Sequence, residues 1–179
     1  GSAGNVATAV AITGDVTVGN TGVTAIGAAK VTVAMCAAPV MQEATGTLTQ
    51  ANLQAASALV EAIAAPGAGK IIIVDEVELF HSYSTTQYAT GSDLALEYGT
   101  SGDNIALVVD SFVTEAASSS KVIKPSTYGL DGSTGTAAGF DVTANANKAV
   151  NFQASDFTNG HASNVIKWRI RYHTVTLLT

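Results

Sequence analysis

The chain has 179 residues, of which 12% are charged, and a formal net charge of −6. Ordinary globular domains carry about a quarter charged residues, so much of this surface is expected to be covered by copies of the chain or by a partner. An apolar content of 47% excludes a disordered chain, and the acidic balance excludes a phosphate-backbone binder, which needs a basic face.

Of the eight basic residues only Lys167, Arg169 and Arg171 cluster, and no nucleic-acid partner is expected. No stretch has the roughly 18 strongly apolar residues of a membrane helix. The N-terminus lacks a basic region ahead of an apolar core, so no signal peptide and no membrane partner are expected. Cys36 is the only cysteine, which excludes an intrachain disulfide and a thiolate cluster within one chain. It lies in the apolar run Val31 to Cys36 and is read as a small buried hydrophobe.

Charge divides the chain. From Gly1 to Gly69 the charged side chains are Asp15, Lys30, Glu43 and Glu61, and from Lys70 onward they are frequent. This predicts an extended N-terminal arm over residues 1–46 and a compact body over 47–179. In the arm, short Val/Thr/Ile runs alternate with Gly-Asp, Gly-Asn and Thr-Gly turn signals. A weak echo runs through it: Asp15-Val-Thr-Val-Gly, Gly22-Val-Thr-Ala-Ile-Gly, Lys30-Val-Thr-Val-Ala. Each piece is too short to bury a face alone, and the arm is expected to order by pairing with another subunit or on a partner surface.

Thr49 suits the start of one short helix, with Leu53 and Ala56 on its apolar stripe. The helix is expected to stop near Ala58, with a strand over Leu59 to Ala64 and a hairpin tip at Pro66-Gly-Ala-Gly leading into Lys70. Ile71 to Tyr83 is the clearest strand. Ile73, Val77 and Leu79 share one face, Glu76 and Glu78 the other, and Asp75 marks a bulge or bend. Leu94, Leu96 and Tyr98 alternate with Asp93, Ala95 and Glu97, and Ile105, Leu107 and Val109 form the next alternating set. Phe112 to Glu115, Lys121 to Ile123 and Lys148 to Gln153 are further strand candidates, and Thr127 to Gly139 reads as a loop. The last strand runs from Asn164 to about Val175, with Ile166, Trp168, Ile170 and Tyr172 inward and Lys167, Arg169, Arg171 and His173 outward. Many short strands with Gly-rich turns predict a mainly β protein, an antiparallel β-sandwich of jelly-roll type.

Candidate sites are few. His81 and His173 sit near the ends of the two long strands and would meet if those strands were neighbours in the right register; His161 stands apart. No zinc-ligand spacing accompanies them, so no metal is expected. Asp103-Asn and Asp131-Gly-Ser read as turns, since neither follows the ligand pattern of a calcium loop. Pro66-Gly-Ala-Gly-Lys70 lacks phosphate-loop spacing, and Ala116-Ala-Ser-Ser-Ser lacks a nucleophile-elbow pattern. No catalytic residue, cofactor or enzymatic activity is therefore expected. Glu76 and Glu78 oppose the basic set Lys167, Arg169 and Arg171 in charge, which suits solubility or pairing between subunits. Tyr83, Tyr88 and Tyr128 are read as loop aromatics in ordinary packing, with stacking on sugars as the alternative.

Three stretches carry a resemblance. Ala64-Ala-Pro-Gly-Ala-Gly-Lys-Ile-Ile-Ile-Val-Asp-Glu-Val-Glu-Leu, followed by Tyr88-Ala-Thr-Gly-Ser-Asp-Leu-Ala-Leu-Glu-Tyr-Gly-Thr, resembles a domain common in bacteriophage structural proteins. So does Val165-Ile-Lys-Trp-Arg-Ile-Arg-Tyr-His-Thr-Val. The stretch Thr13-Gly-Asp-Val-Thr-Val-Gly-Asn-Thr-Gly-Val-Thr-Ala-Ile-Gly resembles short repeats in phage fibre proteins. The resemblance implies a virion structural protein on the capsid exterior, a decoration (cement) or head-fibre protein. It further implies a homo-oligomer, a trimer, whose residues 1–46 grip the major capsid protein. The alternatives are a tail-fibre or receptor-binding module, and a subunit of a secreted filament or surface layer.

Overall fold

The computed structural model describes residues 16–18, 24–26, 40–55, 59–89, 91, 93–100, 103–108, 110–125, 142–154 and 156–178. The chain separates into two compact units, Gly1–Val40 and Met41–Thr179.

Within the first unit, β1 (Val16–Val18) and β2 (Thr24–Ile26) pair antiparallel, with Val16 opposite Ile26 and Val18 opposite Thr24. Two pieces of the threonine-valine echo thus pair with each other inside one chain. A ladder of three residues per strand is marginal in water by itself. Cys36, the third echo, the loop 127–139 with Tyr128 and Asp131, and Val109 lie outside the described residues.

The second unit starts earlier than the expected boundary at residues 46/47. β3 (Gln42–Leu48) is hydrogen-bonded along its length to β12 (Val165–Thr176), from Tyr172 opposite Gln42 to Ile166 opposite Leu48. β3 therefore belongs to the body, although Gln42-Glu-Ala-Thr-Gly-Thr has little apolar content to announce a strand. Gly46 is what lets it pack: a Cβ there would strike the indole of Trp168 on β12.

Helix α1 (Gln50–Gln54) follows, capped as Thr49 predicts. The Thr49 hydroxyl accepts from Asn52 N, and the Asn52 side chain accepts from Thr49 N at 2.8 Å. This reciprocal box satisfies two otherwise orphaned amides, and Leu53 is fully buried beneath it. β4 (Leu59–Ile63) comes next, as expected for a short helix followed by a strand.

The expected β4–β5 hairpin does not form. β5 (Lys70–Ser82) pairs with β12 and β9 (Ser119–Ile123), whereas β4 pairs with β10 (Val150–Gln153). Pro66-Gly-Ala-Gly instead carries the chain from one sheet to the other. Gly67 and Gly69 both adopt positive φ there, which glycine tolerates. The turn is tied down by bonds from Asn147 N to Lys70 O and from Leu177 N to Gly69 O, both 2.8 Å.

Asp75 is the bulge residue of β5: Arg171 faces Glu76 and Tyr172 faces Val74, leaving Asp75 unmatched. The bulge switches which residues point inward. Ile72 and Val74 are buried before it, and Val77, Leu79 and His81 after it. Ile73 consequently leaves the face it was expected to share with Val77 and Leu79. β12 keeps its expected alternation, with Ile166, Trp168 and Ile170 buried and Tyr172 half-buried.

β7 (Leu94–Tyr98) and β8 (Asp103–Val108) form the only sequence-adjacent hairpin in the body's main sheets among the described residues. A register shift between Leu96 and Glu97 slips β8 by one residue, so Ala106 and Val108 are buried and Ile105 only half-buried. Phe112 to Glu115, read as a strand, forms none: Phe112 and Val113 end a short helix and Thr114 and Glu115 follow it. α2 (Asp110–Val113) forms with Asp93 Oδ1 accepting from Asp110 N, and Thr114 N donating to Asp110 O at 2.9 Å. Among the described residues two short helices are therefore present where one was expected. β6 (Tyr88–Ala89) and β11 (Thr158–Asn159) make a small separate pair.

The body is thus mainly β, with two four-stranded antiparallel sheets in the orders β3-β12-β5-β9 and β4-β10-β7-β8. Both contribute to one hydrophobic core. Phe152 of β10 meets Trp168 of β12 across it, ring centroids 5.4 Å apart.

Candidate interaction surfaces

The outward face of the β3-β12-β5-β9 sheet is a ladder of opposite charges. In an antiparallel pair, directly opposed residues share a face. Arg169 stands opposite Glu78, and Arg171 opposite both Glu76 and Glu43. Arg171 reaches Glu76 at 3.0 Å and Glu43 at 3.8 Å; Arg169 bonds Glu78 and lies 4.0 Å from Glu43. The bond from Glu78, and then its charge, raises the Arg169 pKa further above its ordinary value. Of the charges matched in the sequence, Glu76, Glu78, Arg169 and Arg171 therefore pair within one chain, and pairing between subunits is not needed to satisfy them. With both arginines exposed to solvent, such pairs contribute little to stability.

Next to the ladder the face turns apolar. Phe80 is 39% exposed and Val122, on β9, 57%. Lys167 stands opposite Phe80 and has no ion-pair partner among the described residues. Glu78, Phe80, Lys167, Trp168 and Arg169 line a shallow hollow of about 220 Å³. That is smaller and more open than an enclosed small-molecule site of about 300–1,000 Å³, and suits a protruding side chain of a partner.

The histidines do not converge. β5 and β12 are neighbours, but antiparallel register sets His81 opposite Ile166 and His173 opposite Ile73, at opposite ends of the ladder. His173 Nδ1 lies 2.8 Å from the bulge carboxylate Asp75. His161 Nδ1 accepts from Ser163 N at 3.2 Å, shaping the turn before β12. His81 is fully buried with neither ring nitrogen bonded, and burial lowers its pKa. Among the described residues no group of three or more His, Cys, Asp or Glu could hold a metal ion, and no helix is long and apolar enough to cross a membrane.

Two of the three tyrosines are placed. Tyr88 is not a loop aromatic: it is buried edge-on to Phe157, donates its hydroxyl to Asn164 O at 2.8 Å, and has its pKa pushed up to about 12 by burial. Tyr83 is half-buried and donates to Thr85 O at 3.0 Å. Both are engaged within the chain, Tyr88 by its ring and hydroxyl and Tyr83 by its hydroxyl. Asp103 begins β8, and Ser119 begins β9.

Sequence reasoning missed Glu97. It is 2% exposed on the outward side of β7, opposite buried Asn151 of β10. Its Oε1 has no hydrogen-bond partner, and burial raises its pKa. Tyr98 beside it points inward, donates to Ile72 O, and has its pKa raised by burial. Alternation alone assigns Glu97 to a solvated face, so no local signal could have found it.

Comparison with protein-family models, with curated proteins and with solved structures finds no match.

Proposed function

We propose that the chain is a virion structural protein on a phage capsid exterior, acting as a decoration (cement) or head-fibre protein. The observation that carries this reading is the division of the chain. A charge-poor, Thr/Val-rich N-terminal unit with a three-residue hairpin precedes a body of two interleaved antiparallel sheets. The body supports the reading through its strand order. With the two-residue strands β6 and β11 set aside, its eight strands in chain order fall into sheets 1-8-3-6 and 2-7-4-5. This interleaving suits a jelly roll, an architecture used by capsid and lectin domains. The step from fold to role is by analogy.

In this reading residues 1–40 anchor the protein by adding strands to the major capsid protein, and the body trimerises and faces solvent. Apolar area buried between subunits then opposes internal pressure on the shell. Residues 42–46, first assigned to the arm, are committed to β3 and are not available for anchoring.

The test is reconstitution. Capsids lacking the protein are expected to release genome at lower temperature, and added protein to restore retention. Thr17→Pro, which removes a β-ladder donor in the arm, is expected to weaken capsid binding. Equal genome retention with and without the protein overturns the cement role.

A second reading, a receptor-binding module, draws on the hollow beside Phe80 and Lys167. A receptor binder blocks adsorption of phage when added as free protein; a cement protein does not.

A further inference from the structure

The least satisfied part of the body is where β5 meets β9 and α2. His81 is fully buried. Neither its Nδ1 nor its Nε2 has a hydrogen-bond partner, and the Oγ of Ser119, directly opposite on β9, is also buried and unbonded. Phe112 of α2 closes the site, its ring centroid 6.0 Å from the imidazole. On the other side β12 presents Ile166.

Few charges face this histidine. Glu115, just past α2, is the group whose charge acts on it, and that charge favours protonation. Lys121 lies two residues along β9 on the same face as Ser119. Tyr83, just past the end of β5, spends its hydroxyl on Thr85 O. Desolvation outweighs Glu115, so the ring is held neutral below its ordinary value of 6.5.

In the neutral ring a single N–H is left without an acceptor and no charge is buried. Protonation adds a second N–H and a full charge, and neither ring nitrogen has an acceptor in place. Relief needs water or the Glu115 carboxylate, and either requires the α2–β9 segment to move.

We infer that His81 is an acid-sensitive latch: its protonation releases α2 and β9 from the edge of the sheet and uncovers β5 from Val77 to His81. The sheet would then present a fresh edge with Phe80 beside it, available for strand addition. β9 is suited to leaving. It is an edge strand of five residues, held on one side only.

The sign follows from linkage. With the folded value lowered, the contribution of His81 is fully present above pH 6.5 and is lost as pH falls through the folded value. The test is hydrogen exchange on the full chain, corrected for intrinsic rates, near neutral pH and near pH 5. The expected result is that residues 110–123 lose about tenfold more protection at the acidic pH than β3 and β12 do. In His81→Phe this excess is expected to vanish. An unchanged acid response in His81→Phe, or a loss spread evenly over the body, overturns the latch. Should that variant not fold, the ring titration of His81 in the natural chain decides. A midpoint below 6.5 coincident with exposure of β9 supports the latch, and a midpoint at or above 6.5 with β9 still protected overturns it.

Discussion

The two sheets of the body solve the same problem differently. In the β3-β12-β5-β9 sheet, β5 and β12 bury one face and leave the other to Glu76, Glu78, Arg169 and Arg171, which neutralise one another across the strands. In the β4-β10-β7-β8 sheet, β7 is buried on both faces, and Glu97, with one carboxylate oxygen unsatisfied, lies on the side that alternation assigns to solvent. The first sheet announces its outward face in its sequence and leaves it accessible. The second conceals its outward side, and its polar residues there are a cost. The accessible face carries Phe80, Val122 and Lys167 beyond the ladder.

The contrast is broken most severely at the contact joining the sheets. Trp168→Ala removes the indole that packs on Phe152 and Gly46 and is expected to destabilise the body by about 3–5 kcal/mol in denaturant unfolding. A loss near 1 kcal/mol would mean that the sheets do not share a core.

A middle-sized effect sharpens the contrast at Glu97. Its folded pKa is raised by burial, so its favourable contribution is complete below the ordinary 4.5 and is lost as pH rises through the folded value. Glu97→Gln keeps the shape without the charge. It is expected to be more stable than the natural chain at neutral pH by about 1–3 kcal/mol, the cost of an unsatisfied buried group. The difference should shrink toward pH 4, as followed by thermal unfolding across pH. A pH-independent difference would show that Glu97 is solvated.

Smaller again is the corner joining the sheets. Thr49→Ala removes the cap of α1, between β3 and β4, and is expected to cost about 1 kcal/mol. Smallest is the ladder: a Glu78→Ala and Arg169→Ala double-mutant cycle should give a coupling smaller than the loss of the Thr49 cap, and one that weakens with salt. A coupling larger than the loss of the cap and insensitive to salt would mark the ladder as structural.

Much of this architecture is legible locally. The Thr49 cap, the β-branched run from Ile71 and the alternation from Ile166 to Tyr172 each depend on neighbours within a few residues, so periodicity and capping chemistry identify them. So does the bulge at Asp75, although its consequence for Ile73 depends on the partner strand. The candidate surface was legible only as composition. Glu76, Glu78, Arg169 and Arg171 stood out as opposite charges, but that they cancel within one chain depends on the register of β5 against β12, strands about 90 residues apart.

By itself the sequence determined a mainly β chain with a charge-poor N-terminal region, a capped first helix and two long amphipathic strands, because those properties reside in residue types and short spacings. Tertiary structure alone decided that β3 joins the body, that Pro66-Gly-Ala-Gly crosses between sheets, and that His81, Tyr88 and Glu97 are enclosed. The reason is physical. All but one of the pairings in the two main sheets join strands that are not consecutive, and burial of a side chain on such a sheet is set by whatever distant segment lies against it.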